Sequence, residues 1–441
     1  MKIWKLKKAH DFRLRSRHPW VFSNELLDSP KSIKPGEPVE VQDFQGHFLA
    51  RGYGNPHSLI AFRAISFNQH DENPMSENFL GQRLINAWDY RQRSGFTKSF
   101  RLCFSEADQM PGLIVDRYVY FKNEKYYQVF SFQLLTAGFD LYFKTNDNWK
   151  KIFENLVNES LKLGLSQIDW DQTLILQRND VNIRKLEGLL VDEPVILKMV
   201  NEELLTDVEI LIQNVLDANQ TVSFKTNLIE GQKTGFFLDQ TFNIKLLLEQ
   251  IKNQKNQYHG KRVRILDLCC YMGQWSSQIV TNLKIWGLEA DVHLVDISEL
   301  ALERAKKNLQ NFQDEDYKIN VKTSKIDVLN LDSLKDEKFD IIISDPPAFV
   351  KNKKDLHPGL HAYFKLNTQA FKLGAPHALI ISCTCSGGVP LEDFKEALRK
   401  AILKSGKVAR CVTLGGQGWD HPTLMSFPEG SYLKMVMHQI E

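Results

Sequence analysis

At about 150 residues per domain, a chain of 441 residues has room for roughly three domains. Its 43% apolar and 25% charged content is ordinary for a globular protein, which argues against global disorder and permits a sizeable core. The net charge of +2 gives no nucleic-acid signal on its own, and six cysteines in a chain of this length argue against a secreted disulfide scaffold. No CxxC pair occurs and no cluster has metal-ligand spacing, so no metal is expected.

The first twenty residues carry seven cations (Lys2, Lys5, Lys7, Lys8, Arg13, Arg15 and Arg17) against one carboxylate, Asp11. Such clustering could meet a phosphate backbone, with Arg13, Arg15 and Arg17 as candidate RNA contacts, or it could be a solvated surface. No apolar h-region follows, so a signal peptide is not expected. No run of about 20 apolar residues could span a bilayer, and a reducing cytoplasm is the expected location.

Residues 1–70 hold short β-like runs broken by turns, best seen in PVEVQDFQGHFLARGYGNPHSLIAFRAISF. They predict a small, β-rich, partly barrel-like domain. The polar segment FNQHDENPMSEN at 67–78 is the best linker candidate. A mixed α+β domain is expected over 75–205, with a helix over 148–163 whose apolar positions include Ile152, Leu156, Leu161 and Leu163.

From about residue 262 short apolar runs alternate with helical patterns. RVRILDL, VHLVDI, FDIIISD and HALIISC suit strands buried on both faces, and SELALERAKKNLQNF suits a helix between them. This predicts a Rossmann-like α/β domain over 206–441 with a mainly parallel sheet, whose ligand lies beyond the C-terminal strand ends.

The chemistry-bearing residues sit at those ends. Asp267 ends the first strand, and Gly273 lies in the turn that opens the next helix, where free N–H groups suit an anion. Asp296 ends the second strand, 29 residues on, where a carboxylate can accept from both ribose hydroxyls. It could instead cap the next helix, though Ser298 is placed for that task. Asp327 follows the third strand and could accept from an adenine amine, or be a cap or a surface residue. Gly273-Gln274-Trp275 lacks the glycines of a pyrophosphate site. A ligand with ribose and adenine but no phosphate fits better, and S-adenosylmethionine is one.

The fourth strand ends in Asp345-Pro346-Pro347, with Phe349 just beyond. Two prolines stiffen the loop, so it can hold Asp345 against a planar substrate beside a stacking aromatic, or simply turn the chain. The fifth strand runs into Cys383 and Cys385, which share a face if the strand extends that far. Cys385, beside Ser386-Gly387-Gly388 at the cleft mouth, is the one of the two expected to be exposed. Carbon 5 of cytosine is too weak a nucleophile to attack a methyl sulfonium. A thiolate adding to carbon 6 makes an enamine that pushes carbon 5 onto the methyl group. Asp345 can favour protonation of the ring nitrogen during that addition, and the base must leave its stack to reach the cleft.

These motifs together resemble the bacterial 23S ribosomal RNA cytosine-5 methyltransferases, built from an N-terminal PUA domain, a central domain and a class I methyltransferase domain. The resemblance rests on RSRHPWVFSNEL, FSEADQMPGLIVDRY, LQRNDVNIRKLEGL, EGQKTGFFLDQ, DPPAFVKNKKDL, YFKLN, SCTCSGG and DHPTLMSFPEGSYLK. It implies Cys385 as nucleophile, ribosomal RNA as substrate, and Lys233, Thr234, Phe237 and Asp239 as further cofactor-pocket residues. The oligomeric state is left open, a homodimer included. Gln274, Thr241 and Val119 depart from the family pattern, as do the extra residues YFKNEKYY. Two other readings stand beside this one: methylation of a guanine nitrogen by the same fold, and a non-catalytic RNA-binding or assembly protein.

Overall fold

The short N-terminal runs, rich in branched and aromatic side chains, form strands because their alternate residues share one apolar core. In the computed structural model, which describes residues 1–200, 205–314 and 317–441, these are β1 (Lys2–Lys5), β2 (Trp20–Phe22), β3 (Pro38–Gln42), β4 (Phe48–Gly54) and β5 (Ile60–Ser66). They make one sheet in the order β1-β3-β4-β5-β2, packed on Trp4, Val39, Val41 and Phe62. The short helix α1 (Phe12–Arg15) lies between β1 and β2. The polar stretch read as a linker runs from β5 to α2 (Glu77–Arg93), and Ser76 caps that helix by accepting from Phe79 N at 3.4 Å.

A second sheet follows in the same unit, which comprises Met1–Leu211, Asn227–Leu238 and Trp419–Gly430. Its strands are β6 (Phe100–Phe104), β7 (Leu113–Lys122), β8 (Lys125–Leu134), β9 (Thr173–Gln177), β10 (Val195–Lys198) and β11 (Val208–Gln213). The order is β10-β9-β8-β7-β11, with β6 also paired to β7. The YFKNEKYY segment is the β7–β8 hairpin. Asn123 and Glu124 both take positive φ (47° and 61°), as a two-residue turn of this hand requires. Helices α3 (Ala137–Lys144) and α4 (Asn148–Lys162) contribute Phe143, Ile152, Phe153 and Leu156 to this core. Leu163, counted in the α4 stripe from sequence, is its exposed C-cap instead, and Phe153 and Val157 take the buried positions.

The second unit comprises Ile212–Thr226, Asp239–Gly418 and Ser431–Glu441. Its elements are β12 (Thr221–Thr226), α5 (Thr241–Asn253), β13 (Val263–Leu268), α6 (Gln274–Ile285), β14 (Ala290–Asp296), α7 (Glu299–Gln310), β15 (Ile319–Lys325), β16 (Phe339–Ser344), α8 (Leu356–Leu373), β17 (Gly374–Thr384), α9 (Leu391–Ser405), β18 (Ala409–Gly416) and β19 (Lys434–Ile440). The sheet order is β15-β14-β13-β16-β17-β19-β18. The first five strands are parallel, and β19 and β18 close the sheet antiparallel. Apolar layers cover both faces: α5, α6 and α7 supply Ile244, Ile279 and Leu302 to one, and α8 and α9 supply Leu366, Phe371 and Ala401 to the other. The order reverses direction at β13, so β13, β14 and β16 end side by side, where such folds bind ligands.

Candidate active site

Asp267, next to last in β13, is 1% exposed. Its Oδ2 accepts from Ser276 Oγ at 2.6 Å, while its Oδ1 has no partner among the described residues. Burial pushes its carboxyl up to about 7, against the pull of Ser276, and the charges of Asp345 and Asp296 add to the rise. The chain then bends sharply: Cys269, Tyr271 and Gly273 all have positive φ. Gly273 serves as the N-cap of α6 at φ 77°, and a Cβ there would stand 3.3 Å from the Ala305 Cβ. Gln274 opens the helix, and its buried amide nitrogen is likewise without a partner among the described residues.

Asp296 ends β14 half-buried. Its Oδ2 accepts from Tyr271 N at 3.1 Å, which ties it to the β13 turn, and its Oδ1 accepts from Ser298 N at 2.9 Å. Ser298 performs the capping that sequence offered it, accepting from Ala301 N at 3.3 Å. Asp327 is exposed two residues beyond β15 and accepts from Leu329 N at 2.9 Å.

Asp345 follows β16 directly. Its Oδ2 accepts from Gln240 Nε2 at 2.8 Å and from Trp275 Nε1 at 3.1 Å. Asn243 Nδ2 donates to Gln240 Oε1 at 2.7 Å and so fixes which end of that amide faces the carboxylate. Pro346 is buried, Pro347 exposed, and the Phe349 ring lies 4.8 Å from that of Tyr363.

β17 ends at Thr384, one residue short of Cys385, so the two cysteines do not share a strand face. Cys383 is fully buried in the core beside Met435 and Met437, and burial raises its thiol far above the ordinary value. Cys385 is half-buried, and its Sγ reaches 3.9 Å from the Pro346 carbonyl, beside Asp345. The loop is tied down from α8. The Tyr363 hydroxyl accepts from Thr384 Oγ1 at 2.7 Å and lies 2.9 Å from Ser386 Oγ. Ser386 Oγ in turn accepts from Val350 N at 3.2 Å.

Asp239 is buried, accepts from the Tyr432 hydroxyl, and its carbonyl accepts from Gly418 N at 2.8 Å. Lys233, Thr234 and Phe237 belong to the first unit. There Thr234 is buried, with its hydroxyl on the Asp116 carboxylate and 2.9 Å from the Tyr118 hydroxyl. The Lys233 ammonium stands 4.4 Å over the Phe237 ring. In the same unit Arg15 pairs with Asp11 and Asp43, while Arg13 and Arg17 lie over the rings of Phe22 and Phe67. No group of three or more metal-ligating side chains occurs among the described residues, and no helix among them is long and apolar enough to cross a membrane.

Three residues that shape this site were not singled out from sequence: Gln240, Trp275 and Tyr363. Each stands inside a motif quoted for the resemblance or in the first turn, but the letters alone gave no contact.

Residues 5–67 match the family model described as a PUA-like domain, and residues 259–423 match one described as a methyltransferase domain. Ribosomal RNA large subunit methyltransferase I of Serratia proteamaculans is 30% identical over 434 residues, covering 97% of both chains. The protein of the same name from Tolumonas auensis is 30% identical over 438 residues with the same coverage. The chain belongs to the ribosomal RNA large subunit methyltransferase I family. Its fold is that of S-adenosylmethionine-dependent methyltransferases with a PUA-like domain. An S-adenosylmethionine-dependent methyltransferase structure from Streptococcus mutans and a methyltransferase solved with S-adenosylhomocysteine cover 100% of this chain at 16% identity, with TM-scores of 0.68 and 0.70. In this member of the methyltransferase I family, the bend around Gly273 and the ends of β14 and β16 occupy the ligand end of that fold.

Proposed function

We propose that this protein methylates carbon 5 of a cytosine in large-subunit ribosomal RNA, with Cys385 as the covalent nucleophile. The observation that carries this reading is the approach of Cys385 Sγ to the Pro346 carbonyl, beside a carboxylate fixed by Gln240 and Trp275. A nucleophile and an orienting acid on one side of a stiff loop are what addition to a pyrimidine needs. The two named relatives at 30% identity and the PUA-like match support ribosomal RNA as the substrate.

The residues around the β13 turn fit S-adenosylmethionine. Asp267 Oδ1 and Gln274 Nε2 are buried polar atoms without partners among the described residues, a costly arrangement that a polar ligand relieves. Asp296 can accept from ribose hydroxyls and Asp327 from the adenine amine. When bound, the cofactor supplies a methyl group on a positively charged sulfur.

The Cys385 thiolate adds to carbon 6 of the flipped cytosine, forming the S–C6 bond while the C5–C6 π pair moves toward carbon 5. Asp345 hydrogen-bonds the ring edge and favours protonation at N3 as this charge develops. The pair at carbon 5 would form the bond to the methyl group while the sulfonium sulfur keeps the S–methyl pair as a neutral thioether. A base then removes the carbon 5 proton, that C–H pair restores the C5–C6 double bond, and the S–C6 pair returns to Cys385. Pro346, Pro347 and Phe349 shape the surface against which the base rests.

Mass spectrometry of ribosomal RNA from cells carrying Cys385→Ala is the test. Loss of one 5-methylcytosine is expected. An unchanged map overturns the covalent mechanism, and retention of a methylated guanine in its place identifies nitrogen methylation. Absence of S-adenosylmethionine binding to the wild-type protein in calorimetry identifies a non-catalytic RNA-binding protein.

A further inference from the structure

Lys434, the first residue of β19, stands opposite Thr384 in the antiparallel register, one residue before Cys385. Its Nζ donates to the carbonyls of Ser386 at 3.2 Å, Gly387 at 3.4 Å and Tyr432 at 3.3 Å. Two of those carbonyls belong to the loop that carries Cys385. No carboxylate lies within ion-pair distance of this ammonium among the described residues. Three neutral oxygens thus hold a half-buried cation beside the nucleophile, where water screens it less than at the surface. Burial pulls the Lys434 ammonium below its usual value, and negative charge on Cys385 is what pushes it back. The carbonyl acceptors favour its charged form.

Three other titratable groups near Cys385 do not favour a thiolate. Asp345, one residue before the Pro346 carbonyl that the sulfur touches, carries the wrong sign. Tyr363, on α8, and Cys383, on β17, are both raised by burial and stay neutral. A thiol ordinarily titrates near ~8.5, so a cysteine nucleophile at neutral pH requires help.

We propose that Lys434 is the residue that activates Cys385: its ammonium, seated on the Ser386 and Gly387 carbonyls, stabilises the thiolate left when the Cys385 proton passes to solvent. Lys434 keeps its own proton throughout. This rests on the reading of Cys385 as nucleophile but is measured separately from it. Lys434 is a positioning and electrostatic residue, since it does not touch the reacting carbon.

The experiment follows iodoacetamide alkylation of the full-length protein across pH 6–10, with fragment-ion mass spectrometry separating Cys385 from Cys383. Lys434→Gln keeps a donor for the carbonyls and removes the charge. Its alkylation midpoint is expected to move up by about one pH unit, an approximately tenfold slower reaction at pH 7, with the high-pH plateau unchanged. Lys434→Arg is expected to restore the wild-type midpoint. A midpoint in Lys434→Gln that matches wild type overturns the proposal, as does a fall in the plateau alone, which reports only a displaced loop. If Lys434→Gln does not fold, Lys434→Met and Lys434→Arg give the same charge comparison. Methylation that survives Cys385→Ala sinks the covalent reading instead, and leaves the midpoint comparison standing.

Discussion

At the scale of single residues, Asp267 couples the site to pH. Its carboxyl is raised from the usual carboxylate range to about 7 by burial. Between about pH 4 and 7 the folded protein therefore holds a proton that the unfolded chain releases. Stability falls as pH climbs through that window, by up to about 1.4 kcal/mol for each unit of the shift, and is level above it. Asp267→Asn removes the penalty. The variant is expected to melt higher than wild type at pH 8 and alike at pH 4 in thermal denaturation, while losing cofactor affinity. An equal difference at both pH values would show that the gain comes from packing. Asp296 carries the complementary prediction. S-adenosylmethionine at one hundred times its dissociation constant is expected to stabilise the wild type by about 2.7 kcal/mol. Asp296→Ala should lose most of the accompanying rise in melting temperature.

At the scale of elements, α8 braces the end of β17 and the loop that carries Cys385. The Tyr363 hydroxyl joins it to Thr384 and Ser386 on either side of Cys385, and Asn367 Oδ1 accepts from Ser382 Oγ at 2.6 Å one turn further along. Tyr363→Phe is expected to cost roughly 1 kcal/mol of stability, as a lost buried hydrogen bond does. It should lower kcat several-fold with little change in KM for RNA, which steady-state kinetics would separate. An unaltered kcat would mean that the loop holds Cys385 without this brace. The sequence showed α7 and the parallel strands well, because Leu302, Ala305 and Leu309 follow the helical period and β13, β14, β16 and β17 are continuous apolar runs. It also placed the cap at Ser298 correctly. It could not show the Gln240–Asp345 bond, which spans 105 positions, since no local period encodes a long-range amide contact. Nor could it show that β17 stops before Cys385, because strand ends depend on what pairs beside them, here β19 returning antiparallel.

At the scale of the whole molecule, each unit has its own buried polar anchors. In the first unit Arg101 meets Asp116 in a two-pronged pair at 2.8 and 2.7 Å, both side chains buried. Asp116 also receives the Thr234 hydroxyl. Asp116→Ala leaves a guanidinium without its counter-charge, and a loss of about 3–5 kcal/mol is expected in denaturant unfolding. A cost under about 1 kcal/mol would show that water reaches the site. Hydrogen exchange offers a different view: S-adenosylmethionine is expected to slow exchange at the β13–α6 bend and at the end of β14 most of all.

The first unit also takes in Trp419–Gly430. Arg91 donates to the Asp420 carbonyl at 2.9 Å, the Asp420 carboxylate accepts from Arg101 N at 2.9 Å, and the Phe427 ring lies 4.7 Å from that of Trp20. During synthesis, then, the amino-terminal half cannot reach its finished state when its own residues leave the exit tunnel. Arg91 keeps Asp108 and Trp20 keeps Glu106 meanwhile, but the remaining contacts of both wait for a stretch translated some three to four hundred residues later, and a nascent chain stalled before residue 419 would leave those contacts unmade.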